Sequence, residues 1–115
     1  MKLNARFRLR ITRGPDIAVG PGKVALLEAI VQTGSITSAA KALGMSYRRA
    51  WLLVNDMNRC FKTCVVETAA GGKRGGGTVV TASGMEVIRL YRHIESSAAR
   101  AAAKDLSALA GMLRK

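Results

Sequence analysis

Between residues 36 and 57 the apolar side chains keep helical spacing on both sides of a single glycine, which leaves few folds open. Ile36, Ala39, Ala40 and Leu43 fall at i, i+3, i+4 and i+7, and beyond Gly44 the residues Ala50, Leu53, Val54, Met57 and Phe61 repeat one face. Each half reads as a short helix with one buried side. Gly44 suits the positive φ at which the first helix stops, and Ser46 can accept from the free amides with which the second begins. Ala40 supplies the small side chain that lets two helices joined by so short a turn approach closely. The pattern predicts a helix-turn-helix.

Opposite the buried side of the second helix lie Arg48, Leu52, Asn55 and Arg59, flanked by Tyr47 and Trp51, with Ser46 at the amino end. A helix that reads DNA needs arginine for guanine edges, asparagine for adenine, apolar groups for thymine methyls and hydroxyls for phosphates. The bland alternative is a solvated helix that carries two arginines, since helical hairpins with a glycine turn also occur in proteins that never meet DNA.

Charge favours the first reading. Nineteen Lys and Arg against seven Asp and Glu give a net charge of +12 over 115 residues, so most cations lack an acidic partner and the chain is drawn to polyanions. That length is one domain's worth. No apolar run is long enough to span a membrane, and the amino end alternates arginine with apolar residues where a signal peptide would be continuously apolar; a soluble, cytoplasmic protein is expected. Cys60 and Cys64 lie one helical turn apart, but with only one histidine, His93, they are too few for a four-ligand zinc site and read as reduced thiols. His93 reads as a helix-surface residue. No Ser/His/Asp set, carboxylate pair or Walker motif is present, so no enzyme is expected.

Around this centre the chain supplies further elements. Residues 3–11 alternate strictly, with Leu3, Ala5, Phe7, Leu9 and Ile11 on one side and Lys2, Asn4, Arg6, Arg8 and Arg10 on the other, which predicts a strand with one wet, basic face. Arg13-Gly14-Pro15-Asp16 breaks it, and a loose segment leads to a first helix over 21–33, opened by Pro21 and ended by Gly34. Ser35 then caps the helix-turn-helix of 35–61. Over 64–81, two β-branched runs flank a glycine-rich stretch holding Lys73 and Arg74, which predicts a hairpin wing with a basic tip; a plain surface hairpin is the alternative. From Thr81 or Ser83 a long helix over 82–113 is expected, with Ser83 and Glu86 spaced as a capping box. Val87, Tyr91, Ile94, Ala98, Ala102, Leu106, Leu109 and Leu113 line one edge of it, more apolar helix than so small a core can cover, which suggests a second copy of the chain.

The motifs Gly44-Met-Ser-Tyr-Arg-Arg-Ala-Trp51, Asn55-Asp-Met-Asn58 and Gly71-Gly-Lys-Arg-Gly-Gly-Gly-Thr-Val-Val-Thr81, with Gly34-Ser-Ile before them, are similar to those of the amino-terminal DNA-binding domain of the ModE family of molybdate-responsive transcriptional regulators. The helix-turn-helix also resembles the LysR type. The resemblance covers roughly residues 3–95 and implies a mainly α winged helix-turn-helix, with an amino-terminal strand and a long carboxy-terminal dimerisation helix, that binds operator DNA as a homodimer. Carried onto this chain, the expected DNA-binding residues are Ser35, Ser46, Tyr47, Arg48, Arg49, Trp51, Leu52 and Asn55, with Lys73 and Arg74 in the wing. The family also implies molybdate sensing, but its oxyanion-binding module follows the linker helix, and no such module is recognisable before Lys115; no cofactor, metal or small-molecule ligand is expected of these residues. Two other readings use the same features: a nonspecific nucleoid-type DNA binder, and an adaptor whose winged domain contacts protein.

Overall fold

A computed structural model describes residues 5–68 and 77–114. The chain opens with an antiparallel hairpin, β1 (Ile11–Arg13) and β2 (Asp16–Val19), turning at Gly14-Pro15. Three helices follow: α1 (Pro21–Thr33), α2 (Ile36–Ala42) and α3 (Tyr47–Cys60). A second antiparallel pair, β3 (Val66–Thr68) and β4 (Thr78–Val80), leads into α4 (Ala82–Ala101) and α5 (Ala103–Ala110). This is the mainly helical fold with a small β wing that the sequence predicts.

Local chemistry sets the helix ends. The hydroxyl of Ser35 accepts from the amide of Ser38 at 3.0 Å, and that of Ser46 from the amide of Arg49 at 3.1 Å, so each serine opens its helix. Gly44 sits at φ 68°, the left-handed region an L side chain resists, and there the chain turns from α2 into α3. The core is built by Leu26, Leu27 and Ile30 of α1, Ile36, Ala39 and Ala40 of α2, and Ala50, Val54 and Met57 of α3, closed at one end by Val65 and Val66. Ala39 and Ala40 of α2 and Ala50 of α3 are small and fully or almost fully buried, so the two backbones can pack closely.

A second cluster, Val19, Val24 and Tyr91, fixes α4. The Tyr91 hydroxyl donates to the Leu9 carbonyl at 2.7 Å, and burial pushes its phenol above the ordinary range. Arg92 forms a bidentate pair with Glu28 of α1 at 2.5 and 3.0 Å and also reaches Glu95 at 2.7 Å. These charges are substantially exposed, so each pair contributes no more than about 0–1 kcal/mol.

Five expectations need correction. The strand predicted over 3–11 begins only at Ile11 among the described residues, because its partner β2 has just four residues and the ladder is used up at the Ile11–Val19 pair. The segment expected to be loose before Pro21 is that partner. The long helix predicted over 82–113 is divided at Ala102, which takes φ −93° and ψ 0°; α5 buries no residue, so no packing holds it in line with α4. Its cap is Thr81, whose hydroxyl accepts from the Gly84 amide at 3.1 Å, while Glu86, expected in a capping box with Ser83, instead pairs with Arg89. Leu43, assigned to the buried face, is 39% exposed because it ends α2 as the chain turns away.

Gly84 is buried where α4 crosses the wing root, and a β-carbon there would overlap the Val65 carbonyl and lie 2.6 Å from Val80 Cγ1. Gly84→Ala is therefore expected to destabilise by about 1–3 kcal/mol. Gly22, in the first turn of α1, has nothing within 4 Å of such an atom, so Gly22→Ala should stabilise by roughly 0.5–1 kcal/mol. Urea unfolding of the two variants measures the contrast.

Candidate functional site

The side chains of α3 divide by the periodicity of the helix. Ala50, Val54 and Met57 are turned into the core, so Arg48 and Leu52 are turned out, with Leu52 48% exposed. Tyr47 and Trp51 occupy one flank, 54% and 45% exposed, which places two aromatic rings at the surface without a buried face to cover them. Asn55 is half-buried beside them. Arg59, read with this face, is tied to Asp56 at 2.5 Å. Arg48 and Arg49 carry no acidic partner among the described residues.

The wing is attached to this surface through the end of α3. Asn58 Oδ1 accepts from the Val65 amide at 2.8 Å while its Nδ2 donates to the Val66 carbonyl at 3.0 Å, so one side chain replaces a strand neighbour for β3. Thr81 completes the junction: its hydroxyl donates to the Cys64 carbonyl at 2.6 Å and its amide to the Val65 carbonyl at 3.0 Å. On the other wing strand, the Thr78 amide donates to the Gly34 carbonyl at 3.1 Å, beside the Ser35 cap. A groove results in which Ser35 and Thr37 from the start of α2, Tyr47 from the start of α3, and Thr68 and Thr78 from the wing face one another.

The sequence-predicted residues Ser35, Ser46, Tyr47, Arg48, Arg49, Trp51, Leu52 and Asn55 therefore share one side of the molecule around α3, except that Arg49 is turned toward the β1–β2 hairpin. The hydroxyls of Ser35 and Ser46 accept cap hydrogen bonds, which leaves their own hydrogens to donate outward. Lys73 and Arg74 lie outside the described residues. Sequence reasoning missed two groups. The threonines of the groove come together only when the wing closes on α2, which no local spacing announces. Asn58 lies in a motif that carries the family resemblance, which assigns it no role; because its partners Val65 and Val66 come after the end of α3, no local spacing announces their pairing. Among the described residues no three His, Cys, Asp or Glu side chains converge as a metal site would require, and Cys60 and Cys64 are free thiols. No helix among them is long and apolar enough to cross a membrane.

No protein-family profile matches the chain. Over 89 residues it is 48% identical to the transcriptional regulator ModE of Yersinia pestis, an alignment covering 77% of this chain and 34% of that protein. Over 82 residues it is 46% identical to the molybdenum-pterin-binding protein MopB of Rhodobacter capsulatus, covering 71% and 30% respectively. The DNA-binding transcriptional dual regulator ModE of Escherichia coli K12 is 38% identical over 89 residues, again 77% of this chain and 34% of the relative. The chain thus spans about a third of the length of the curated relatives it matches. Among solved structures, the CbnR DNA-binding domain in its complex with DNA superposes with a TM-score of 0.58 at 20% identity, covering 76% of this chain and 95% of that one; the two share a fold.

Removing the Asn58 amide leaves the Val65 amide and Val66 carbonyl without their partner at the wing root. Asn58→Ala is expected to destabilise by about 1–3 kcal/mol, because both backbone groups are buried there. It should also speed hydrogen exchange at Val65 well beyond the change at Leu27 of the central core; equal acceleration at both would mean that Asn58 acts on global stability alone.

Proposed function

Over most of its length this chain is a homologue of the amino-terminal region of the ModE and MopB molybdate regulators, and on that premise we propose that it binds double-stranded DNA as a sequence-specific transcriptional regulator. The observation that carries the reading is the outward face of α3, where an Arg48 with no acidic partner among the described residues, an exposed Leu52 and two surface aromatics stand beside a wing fixed to the same helix. In this reading α3 enters the major groove. Arg48 spans O6 and N7 of a guanine, Asn55 reaches an adenine edge and Leu52 meets a thymine methyl. Ser35, Ser46 and Tyr47 donate to phosphates, Arg49 and Trp51 hold the flanks, and Lys73 and Arg74 of the wing grip the backbone or a minor groove.

The proposal extends to a homodimer. Leu90 and Ile94 of α4, Leu109 of α5 and Leu113 just beyond it are each at least 43% exposed, an apolar edge that a second copy would cover together with the apolar side of residues 5–11. Two copies of α3 would then address an inverted repeat with half-sites about one helical turn, roughly 34 Å, or a multiple of it, apart.

Selection from a pool of random duplexes, followed by competition between the selected and random sequences at two salt concentrations, tests the reading. An inverted repeat should be recovered, and its preference should survive added salt while total affinity falls. Arg48→Ala should relax that preference at a cost of about 1–3 kcal/mol, and Lys73→Ala with Arg74→Ala should weaken selected and random duplexes alike. Salt-sensitive binding without any recovered sequence would make the protein a nonspecific binder. Failure to bind any duplex at low salt would make it an adaptor.

A further inference from the structure

Ion pairing divides the arginines of the described residues into two sets. Arg59, Arg89 and Arg92 each lie 2.5 Å from a carboxylate oxygen, on Asp56, Glu86 and Glu28 respectively. Arg6, Arg8 and Arg10 in the amino-terminal arm, Arg13 of β1, Arg48 and Arg49 in α3, and Arg100 and Arg114 toward the carboxy end have none among those residues. Three of the unpaired arginines come together in space. Arg8 and Arg10 line, with Lys23 of α1 and Arg49 of α3, an open cleft between the β1–β2 hairpin and the amino-terminal half of α3. Two acids share it, Asp16 and Asp56, and Asp56 is already divided between Arg59 at 2.5 Å and Lys23 at 3.9 Å. Four cations against two acids leave the cleft positive.

The arm is also held in place. The Leu9 carbonyl accepts the Tyr91 hydroxyl at 2.7 Å, which pins the backbone between Arg8 and Arg10. Lys23, 8% exposed, donates to the Ile17 carbonyl and so fastens the hairpin beside α3. The Leu9 side chain packs against the Val19, Val24 and Tyr91 cluster, while Arg8 and Arg10 on either side of it are exposed. Around α3, Tyr47 lines the groove on the wing side and Arg49 lines the cleft on the hairpin side, with Arg48 and Leu52 between them.

We propose that the amino-terminal arm and β1–β2 hairpin form a second grip on DNA, in which Arg8, Arg10 and Arg49 hold the phosphodiester backbone on the side of α3 away from the wing. This rests on the DNA-binding reading of α3 and adds to it a contact surface of defined chemistry. Guanidinium suits the role, since its planar fork meets two phosphate oxygens at once and stays charged at any accessible pH. An acidic protein segment is the competing occupant of a positive cleft.

The test uses the intact chain and a labelled random-sequence duplex, with affinity measured across a salt series. In the Arg8→Ala/Arg10→Ala variant the slope of log K against log salt should fall in magnitude by about 2, because each lost phosphate contact removes roughly 0.9. The Arg8→Lys/Arg10→Lys variant should keep most of the slope. Arg100→Ala/Lys104→Ala, which removes as much charge from the far end of the molecule, should leave it unchanged. A wild-type slope in the Arg8/Arg10 alanine variant, or an equal fall in the Arg100/Lys104 control, would overturn the grip, as would capture of an acidic peptide that leaves duplex binding untouched. Phosphate-ethylation interference with the wild-type chain reads the same contact without a substitution: it should find sensitive phosphates on both sides of the α3 footprint, and sensitivity on one side alone would refute the proposal. If the wild-type chain bound no duplex at all, the DNA-binding reading itself would fall.

Discussion

The three side chains Ala50, Val54 and Met57, none more than 6% exposed, seat α3 on α1 and α2, and the direction of every other surface on that helix follows from them. Two of the contacts are unusually small. With Ala39 and Ala40 facing Ala50 across the turn, the helices approach closely enough for Gly44 to close the connection, and a larger side chain at any of these positions would lift α3 and rotate its outward face. Packing thus fixes not only that α3 is stable but where Arg48 and Leu52 stand. The wing inherits the same frame, since Asn58 is a residue of α3 and holds β3 by two backbone groups.

The helix-turn-helix was legible in the sequence because its determinants are local. Serine caps, a glycine at positive φ and a three-and-four apolar repeat each act within a turn or two, and all of them are found in place at Ser35, Ser46 and Gly44. The arm was misread for a different reason. Alternation in residues 3–11 reports which way side chains point; pairing depends on a partner strand, and β2 is too short to extend the ladder past Ile11. The break at Ala102 was equally invisible, since an alanine run favours helix everywhere and only the loss of packing beyond the core singles out one residue.

The candidate site shows the same division. Periodicity found the outward face of α3, because a helix with one buried stripe has only one opposite side. It could not find the cleft of Arg8, Arg10, Lys23 and Arg49, whose members come from three elements brought together by the hairpin. Nor does composition foretell how a net charge of +12 is distributed. In the folded chain the arginines of α4 are largely answered by acids on α4 and α1, while those of the arm and the start of α3 are left for a partner. A charge excess arranged in this way favours contact with a polyanion along one side.

The chain has a single tryptophan, and Trp51 is 45% exposed on the flank of α3, so its fluorescence reports on that helix alone. Acrylamide quenching with and without a saturating duplex, alongside anisotropy of the labelled duplex to show that it is bound, tests directly whether α3 is the surface that meets DNA. The expected result is strong quenching of the free protein and marked protection in the complex. A complex that forms while Trp51 stays as accessible as before would place the DNA on another face and contradict the account.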